Sequence, residues 1–433
     1  MAVKRLRMKV PNFQKIETWI LFVIYFNLFY KAFCNFAHFP SSINYINDIA
    51  CMILAIALLT KSRGKNTHTY VLSQYRIVLF LFLSTIVGYI IHMYQPFIYL
   101  WGIRTLFRYY IFFFACCYYI KKESIEKVFR VFEVALVLNA IAVFVEQASG
   151  YKMDYIAGLY TEGRTIVGGL AGLNAFLCIV IAYELISYFN KKTTLAKLGI
   201  LIVLSLYMAA VSELKAFFFE LVLILVASML ISKISLKIVF GAGISGIGLA
   251  IGLVSYQRYY AYKGAFFSIS EAMKYIGAEG NTYGHALLNR YNAVPYVWYN
   301  FLHSILDKLF GLGLGYADNV SFSLFSSGFY TQHALLGYQF WTVSLELTNI
   351  GIIGLAFILL FYVSIIVYAK KTGKSHSENK MYFDLAMIVA GVGIFLCFYN
   401  QSLILDVAAF PIMFVLSLPF VYNRTTKAKG ELE

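Results

Sequence analysis

A charge inside a bilayer is costly and must be paired or put to use, so cations set within apolar sequence are the first residues here that could do chemistry. Arg104 and Arg108 lie four apart in one apolar run. Helical spacing puts them on one face, where two guanidiniums can grip one anion. The same spacing also suits structural arginines held by an intramembrane carboxylate such as Glu133, Glu184 or Asp406. Arg164 stands just before an apolar run, and Lys215 belongs to the tight turn Ser212-Glu213-Leu214-Lys215. Each can meet a ligand phosphate or simply reach lipid headgroups. Arg290 precedes an amphipathic stretch, so its charge would add to a helix N-terminus, a combination suited to phosphate. The plain alternative is an exposed loop arginine.

Together these cations describe a site for an anionic ligand. A lipid-linked diphosphate is the natural candidate, because its tail needs a hydrophobic groove beside the basic pocket. His333 supplies an imidazole that could take a proton from a hydroxyl nucleophile, although a lone loop histidine is more often merely solvated. Glu346 could orient a basic partner, act as the base itself, or pair with one of the arginines, and Asp318 is a third acid–base candidate. The chain has no Walker A motif, no HExxH, no GxSxG and no cytoplasmic DxD-like pair. We therefore expect neither ATP-driven chemistry nor a catalytic metal, and no cofactor.

The elements that must position these residues follow from composition. Of 433 residues, 61% are hydrophobic and only 13% charged, too few polar groups to cover a water-soluble globule. The predicted fold is all-α, a single polytopic bundle of about twelve transmembrane helices. Apolar runs place the helices near 17–35, 44–60, 77–94, 99–120, 131–149, 165–189, 198–212, 216–232, 238–255, 343–368, 382–399 and 404–421. The first run lacks a small-residue cleavage site and reads as a permanent helix. Lys and Arg concentrate before the first run and in every second connection, at 61–76, 121–130, 191–197, 233–237, 370–380 and 424–429. The positive-inside rule then puts both termini in the cytoplasm, and the net charge of +15 reflects orientation rather than a nucleic-acid partner. All six cysteines lie in apolar stretches without metal spacing and read as small buried hydrophobes.

Residues 256–342 form one long extracytoplasmic loop, and a loop of that length is usually functional. Within it Val294, Trp298, Leu302, Ile305 and Leu309 recur at helical spacing, which predicts an amphipathic helix starting near Asn292 and lying at the outer interface. The run Gly311-Leu312-Gly313-Leu314-Gly315 follows, where glycines permit turns or close backbone approach.

The order of these motifs resembles the O-antigen polymerase and O-antigen ligase superfamily, bacterial membrane glycosyltransferases of the GT-C type. Three stretches carry the resemblance: Gly163-Arg164-Thr165-Ile166-Val167-Gly168-Gly169 with Asn174; Ser212-Glu213-Leu214-Lys215-Ala216, with lysine where arginine is usual; and Arg290, Trp298, Leu309 to Gly315, His333, then Asn349-Ile350-Gly351-Ile352-Ile353-Gly354. It covers roughly residues 160–370. Two departures from the ligase members are visible. Ala334 follows His333 where asparagine is common, and Glu346 stands thirteen positions after the histidine.

The resemblance implies transfer of a growing glycan from undecaprenyl diphosphate to a sugar hydroxyl on an incoming lipid-linked unit, outside the cytoplasmic membrane. Arg164, Lys215 and Arg290 would neutralise the leaving diphosphate, and His333 or an acid would accept the proton. The alternatives are a ligase that moves finished glycan to another acceptor, and a flippase for the lipid-linked sugar. No repeat between the halves favours a transporter. The partners expected are the lipid-linked oligosaccharide and membrane lipids; a chain-length regulator would leave no local signature in the sequence.

Overall fold

A computed structural model describes residues 15–61, 70–152, 155–162, 169–232, 240–241, 243, 246–248, 288–320 and 322–430, with side chains as far as 424. Every regular element among them is helical. The helices are α1 (Ile16–Phe36), α2 (Ile46–Lys61), α3 (Leu72–His92), α4 (Pro96–Tyr119), α5 (Lys122–Ala148), α6 (Leu170–Phe189), α7 (Leu195–Val211), α8 (Lys215–Ile231), the short α9 (Ile305–Phe310), α10 (Thr342–Gly373), α11 (Lys380–Tyr399) and α12 (Asp406–Gly430). Among the described residues eight segments are long and apolar enough to cross a membrane. The expected run at 238–255 falls largely outside the described residues.

Local chemistry sets several helix ends. Pro96 opens α4, where its missing N–H costs nothing. The Thr194 hydroxyl caps α7 by accepting the Lys197 amide. At the other end of α4, Arg424 donates to the carbonyls of Cys117 and Ile120, and so ties α12 to a terminus whose acceptors would otherwise be orphaned. The helix start that moved most is that of α5, which begins at Lys122, nine residues before the apolar run suggested. Its first two turns are amphipathic, with Ile125, Val128 and Phe129 buried in the core and the charges outward, so they join the helix without looking like membrane sequence.

The packing is that of a membrane protein. Central helices α4, α6 and α12 are buried on most faces. The flanking helices leave large apolar side chains outward: Val134, Leu138, Ile141 and Phe144 on α5, and Phe219, Leu223 and Leu230 on α8. Exposed apolar faces of this extent belong against lipid. Polar side chains turn inward instead, with Asn27, Asn47, Glu184 and Glu220 all essentially inaccessible.

Helix α10 is broken in its third turn. Gly351 adopts φ +65° and ψ −170°, outside the helical region. This break is the element against which the 305–318 segment is built.

Candidate functional site

The glycine-rich run found in the sequence docks into the break in α10. The amides of Leu312 and Gly313 donate to the carbonyls of Thr348 and Asn349, at 2.7 and 3.1 Å. Gly311 and Gly351 face each other so closely that neither tolerates a side chain. A Cβ on Gly311 would lie 2.5 Å from the Asn349 carbonyl, and one on Gly351 would lie 2.5 Å from the Leu309 carbonyl. Both also have positive φ, of 75° and 65°. The two motifs, some forty positions apart, therefore form one structural joint.

Side chains from α3 and α4 lock that joint. His92 Nε2 lies 2.8 Å from the Gly311 carbonyl and 3.6 Å from Asp307 Oδ1. Tyr94 donates to the Leu314 carbonyl. Asn349, just before the break, accepts the Ala317 amide and donates to Asp318 Oδ1 at 2.7 Å, while Thr105 donates to Asp318 Oδ2 at 3.1 Å. Burial pushes the Asp318 carboxyl above its ordinary value of 3.8, opposed by those two hydrogen bonds and by the charges of Arg104 and Arg108.

Above this floor lies a cavity of about 460 Å³. Three imidazoles line it, those of His92, His303 and His333, together with Asn300 and an aromatic wall of Tyr94, Phe301, Tyr316 and Phe329. His333 is held by ring contacts, with centroids 4.5 Å from Phe329 and 5.0 Å from Phe301. Such a recess can exchange protons through imidazole and can pack flat C–H faces against aromatic rings. Among the described residues no three His, Cys, Asp or Glu side chains form a group that could hold a metal ion.

The long amphipathic helix expected from Asn292 is two short pieces. A four-residue helix, Ala293–Tyr296, runs into a π turn over Val297–Phe301, the chain breaks at Leu302 and His303, and α9 starts afresh at Ile305. The sequence Ser304-Ile305-Leu306-Asp307 is a capping box in which the serine hydroxyl accepts the Asp307 amide and the aspartate accepts the Ser304 amide. That local device restarts the helix and rotates its face. Ile305, expected on the buried stripe, is 77% exposed. The shortness of the first piece also weakens the helix dipole proposed to assist Arg290.

Arg290 sits instead at a junction of helix ends. Its Nε donates to the Tyr399 carbonyl at 3.1 Å and its guanidinium lies 4.2 Å over the Tyr399 ring. The next residue, Asn400, accepts the amide and hydroxyl of Thr342 at the start of α10. Ser402 donates to the Ala171 carbonyl in the first turn of α6, and Asn174 one turn on donates to Glu220 of α8. Lys215 opens that same helix, 3.3 Å from Glu213. Hydrogen bonds thus chain the elements bearing Arg290 and Lys215 together across one end of the bundle. Arg164 lies outside the described residues.

The other expected site residues lie elsewhere. Arg104 binds Asp48 at 2.6 Å, and Arg108 binds Asp48 at 3.2 Å and Asp406 at 2.6 Å. Asp406 also accepts from Tyr109 and Asn44. Glu133 and Glu184 serve Lys197 rather than either arginine. Glu346 is buried in the first turns of α10, with Oε2 lacking a hydrogen-bond partner, and is not among the residues lining the cavity of His333. Sequence reasoning missed His92, His303 and Asp48. Asp48 was detectable as a carboxylate inside a predicted span; the two histidines had no local pattern.

Compared with known proteins, the chain matches no family model and no curated protein at a significant level.

Proposed function

We propose that this protein polymerises oligosaccharide repeat units carried on undecaprenyl diphosphate, at the outer face of a bacterial cytoplasmic membrane that it crosses about twelve times with both termini inside. The observation that carries the reading is the joint between Leu309–Gly315 and Asn349–Gly351, which roofs α4 and bears a cavity containing His333. These are the same stretches that resemble the O-antigen polymerase and ligase superfamily.

In this reading the acceptor sugar packs on Phe329 and Tyr316, and its hydroxyl oxygen attacks the anomeric carbon of the donor. The bond from that carbon to the diphosphate oxygen breaks, and the diphosphate leaves with the electron pair. His333 takes the hydroxyl proton. Arg290 and Lys215, with Arg164, neutralise the charge that develops on the leaving group, an electrostatic effect that needs no nucleotide. Arg104 and Arg108 hold the bundle together through Asp48 and Asp406.

Glycan length on the carrier tests this. A strain lacking the protein should accumulate single repeat units, and restoring it with Arg290→Ala should fail to return long glycan. A normal ladder of carrier-linked glycan in the null strain would favour the ligase, and loss of all externally exposed lipid-linked sugar would favour a flippase.

A further inference from the structure

A second recess shares no lining residue with the cavity of the histidines. It is a groove of about 720 Å³ between α8, α10 and α11. Its walls are apolar, with Leu223, Ala227, Ile366 and Ile388 along its length. Its mouth carries Lys370 in the last turn of α10, Lys374 at the C-cap that follows, and Lys380 at the start of α11. Lys380 Nζ lies 3.6 Å from Asp384 Oδ2, which leaves the mouth cationic, three ammonium groups against one carboxylate. At the far end Glu220 is already held by Asn174 and Cys178, at 3.0 and 3.1 Å.

We propose that this groove binds an anionic glycerophospholipid, its phosphate against Lys370, Lys374 and Lys380 and one acyl chain along α8. The dimensions fit. From Ile231 at the mouth to Glu220 is eleven residues of α8, about 16 Å at 1.5 Å per residue. That is about half of a ~30 Å hydrocarbon core, the depth of one leaflet. Lysines at helix ends serve orientation by themselves, but orientation requires no apolar channel behind them. A soluble anion would need the lysines and not the channel; an uncharged apolar tail would need the channel and not the lysines. Only a charged head joined to an apolar tail uses both. The proposal rests on the membrane setting and is independent of the glycan chemistry.

Photo-crosslinking tests it on the full chain purified in detergent, with phosphatidylglycerol bearing a diazirine on its acyl chain. Label should map to the groove faces of α8, α10 and α11, and unlabelled phosphatidylglycerol should compete much better than phosphatidylcholine. The combined change Lys370→Gln, Lys374→Gln, Lys380→Gln should cut labelling about tenfold, since each lysine near an anionic headgroup contributes substantially. Lys371→Gln, which alters a neighbouring exposed lysine, should leave it unchanged. Ala227→Trp, checked for a monodisperse elution profile, should block the channel and remove the label. Equal competition by phosphatidylcholine, full labelling of the triple variant, or displacement by undecaprenyl phosphate at equal concentration would each overturn the proposal.

Discussion

Two of the polar centres among the described residues differ in how their charges are balanced. Arg104 and Arg108 lie within α4, with Asp48 and Asp406 at 2.6 to 3.2 Å and Tyr109 and Asn44 completing the shell of Asp406. His92, His303 and His333 line an open cavity whose remaining walls are mainly aromatic. The first centre joins α2, α4 and α12 and already holds its own counter-ions. The second is built by a loop threaded into a broken helix; its His92 meets Asp307 and the Gly311 carbonyl, whereas His333 rests against the rings of Phe301 and Phe329 on the cavity wall. Cation spacing in a sequence cannot separate these cases, because both begin as polar residues in apolar surroundings. The distinction lies in whether a carboxylate from a distant helix arrives.

The contrast is broken most sharply by His333→Ala. In the proposed reaction the loss of this general base should reduce glycan extension by roughly 10²- to 10⁴-fold, read as chain length per unit time, with stability shifted by no more than about 0.5 kcal/mol. Asp406→Ala should show the opposite pattern. Removing it leaves the single carboxylate of Asp48 to balance both Arg104 and Arg108 and should cost about 3–5 kcal/mol, seen as a lowered unfolding midpoint in detergent. Replacing Arg108 and Asp406 together by Met and Leu should recover most of that loss, since Asp48 keeps Arg104.

The joint should respond next. Gly351→Ala forces a side chain into a position with φ +65° and into the Leu309 carbonyl. The backbone strain is about 1–3 kcal/mol before any clash is counted. Limited proteolysis should cut within 305–318 in this variant and not in the parent.

The smallest effect concerns pH. Burial raises the Asp318 carboxyl, so the folded state holds that proton more tightly than the unfolded chain does. Its contribution to stability is full below the ordinary value of 3.8 and is lost as pH rises through the raised folded value. Asp318→Asn should therefore gain stability relative to the parent as pH is raised from acid to neutral. Parallel curves for the two proteins would remove this role for Asp318.

Much of the bundle was legible because membrane helices announce themselves as long apolar runs. Predicted and observed limits agree closely for α1, α4, α7, α8 and α11. The start of α5 was hidden because its first turns are amphipathic rather than apolar. The interfacial helix was misread for a different reason: its apolar periodicity is real, but the Ser304–Asp307 capping box and the π turn override it. At the site, the sequence named His333, Arg290 and both glycine motifs. It did not show that Gly311 meets Gly351, or that Arg108 meets Asp406, because those contacts join segments 40 and 298 positions apart. Likewise His92 belongs to the cavity only because α3 ends beside the loop.

Reconstitution tests the central claim most directly. The purified protein, in vesicles containing a lipid-linked repeat unit and no nucleotide, should convert it into a ladder of longer chains on the same carrier. His333→Ala, purified to the same elution profile, should leave the single unit. A wild-type preparation that never lengthens the unit, or a His333→Ala preparation that lengthens it at the wild-type rate, would contradict the account.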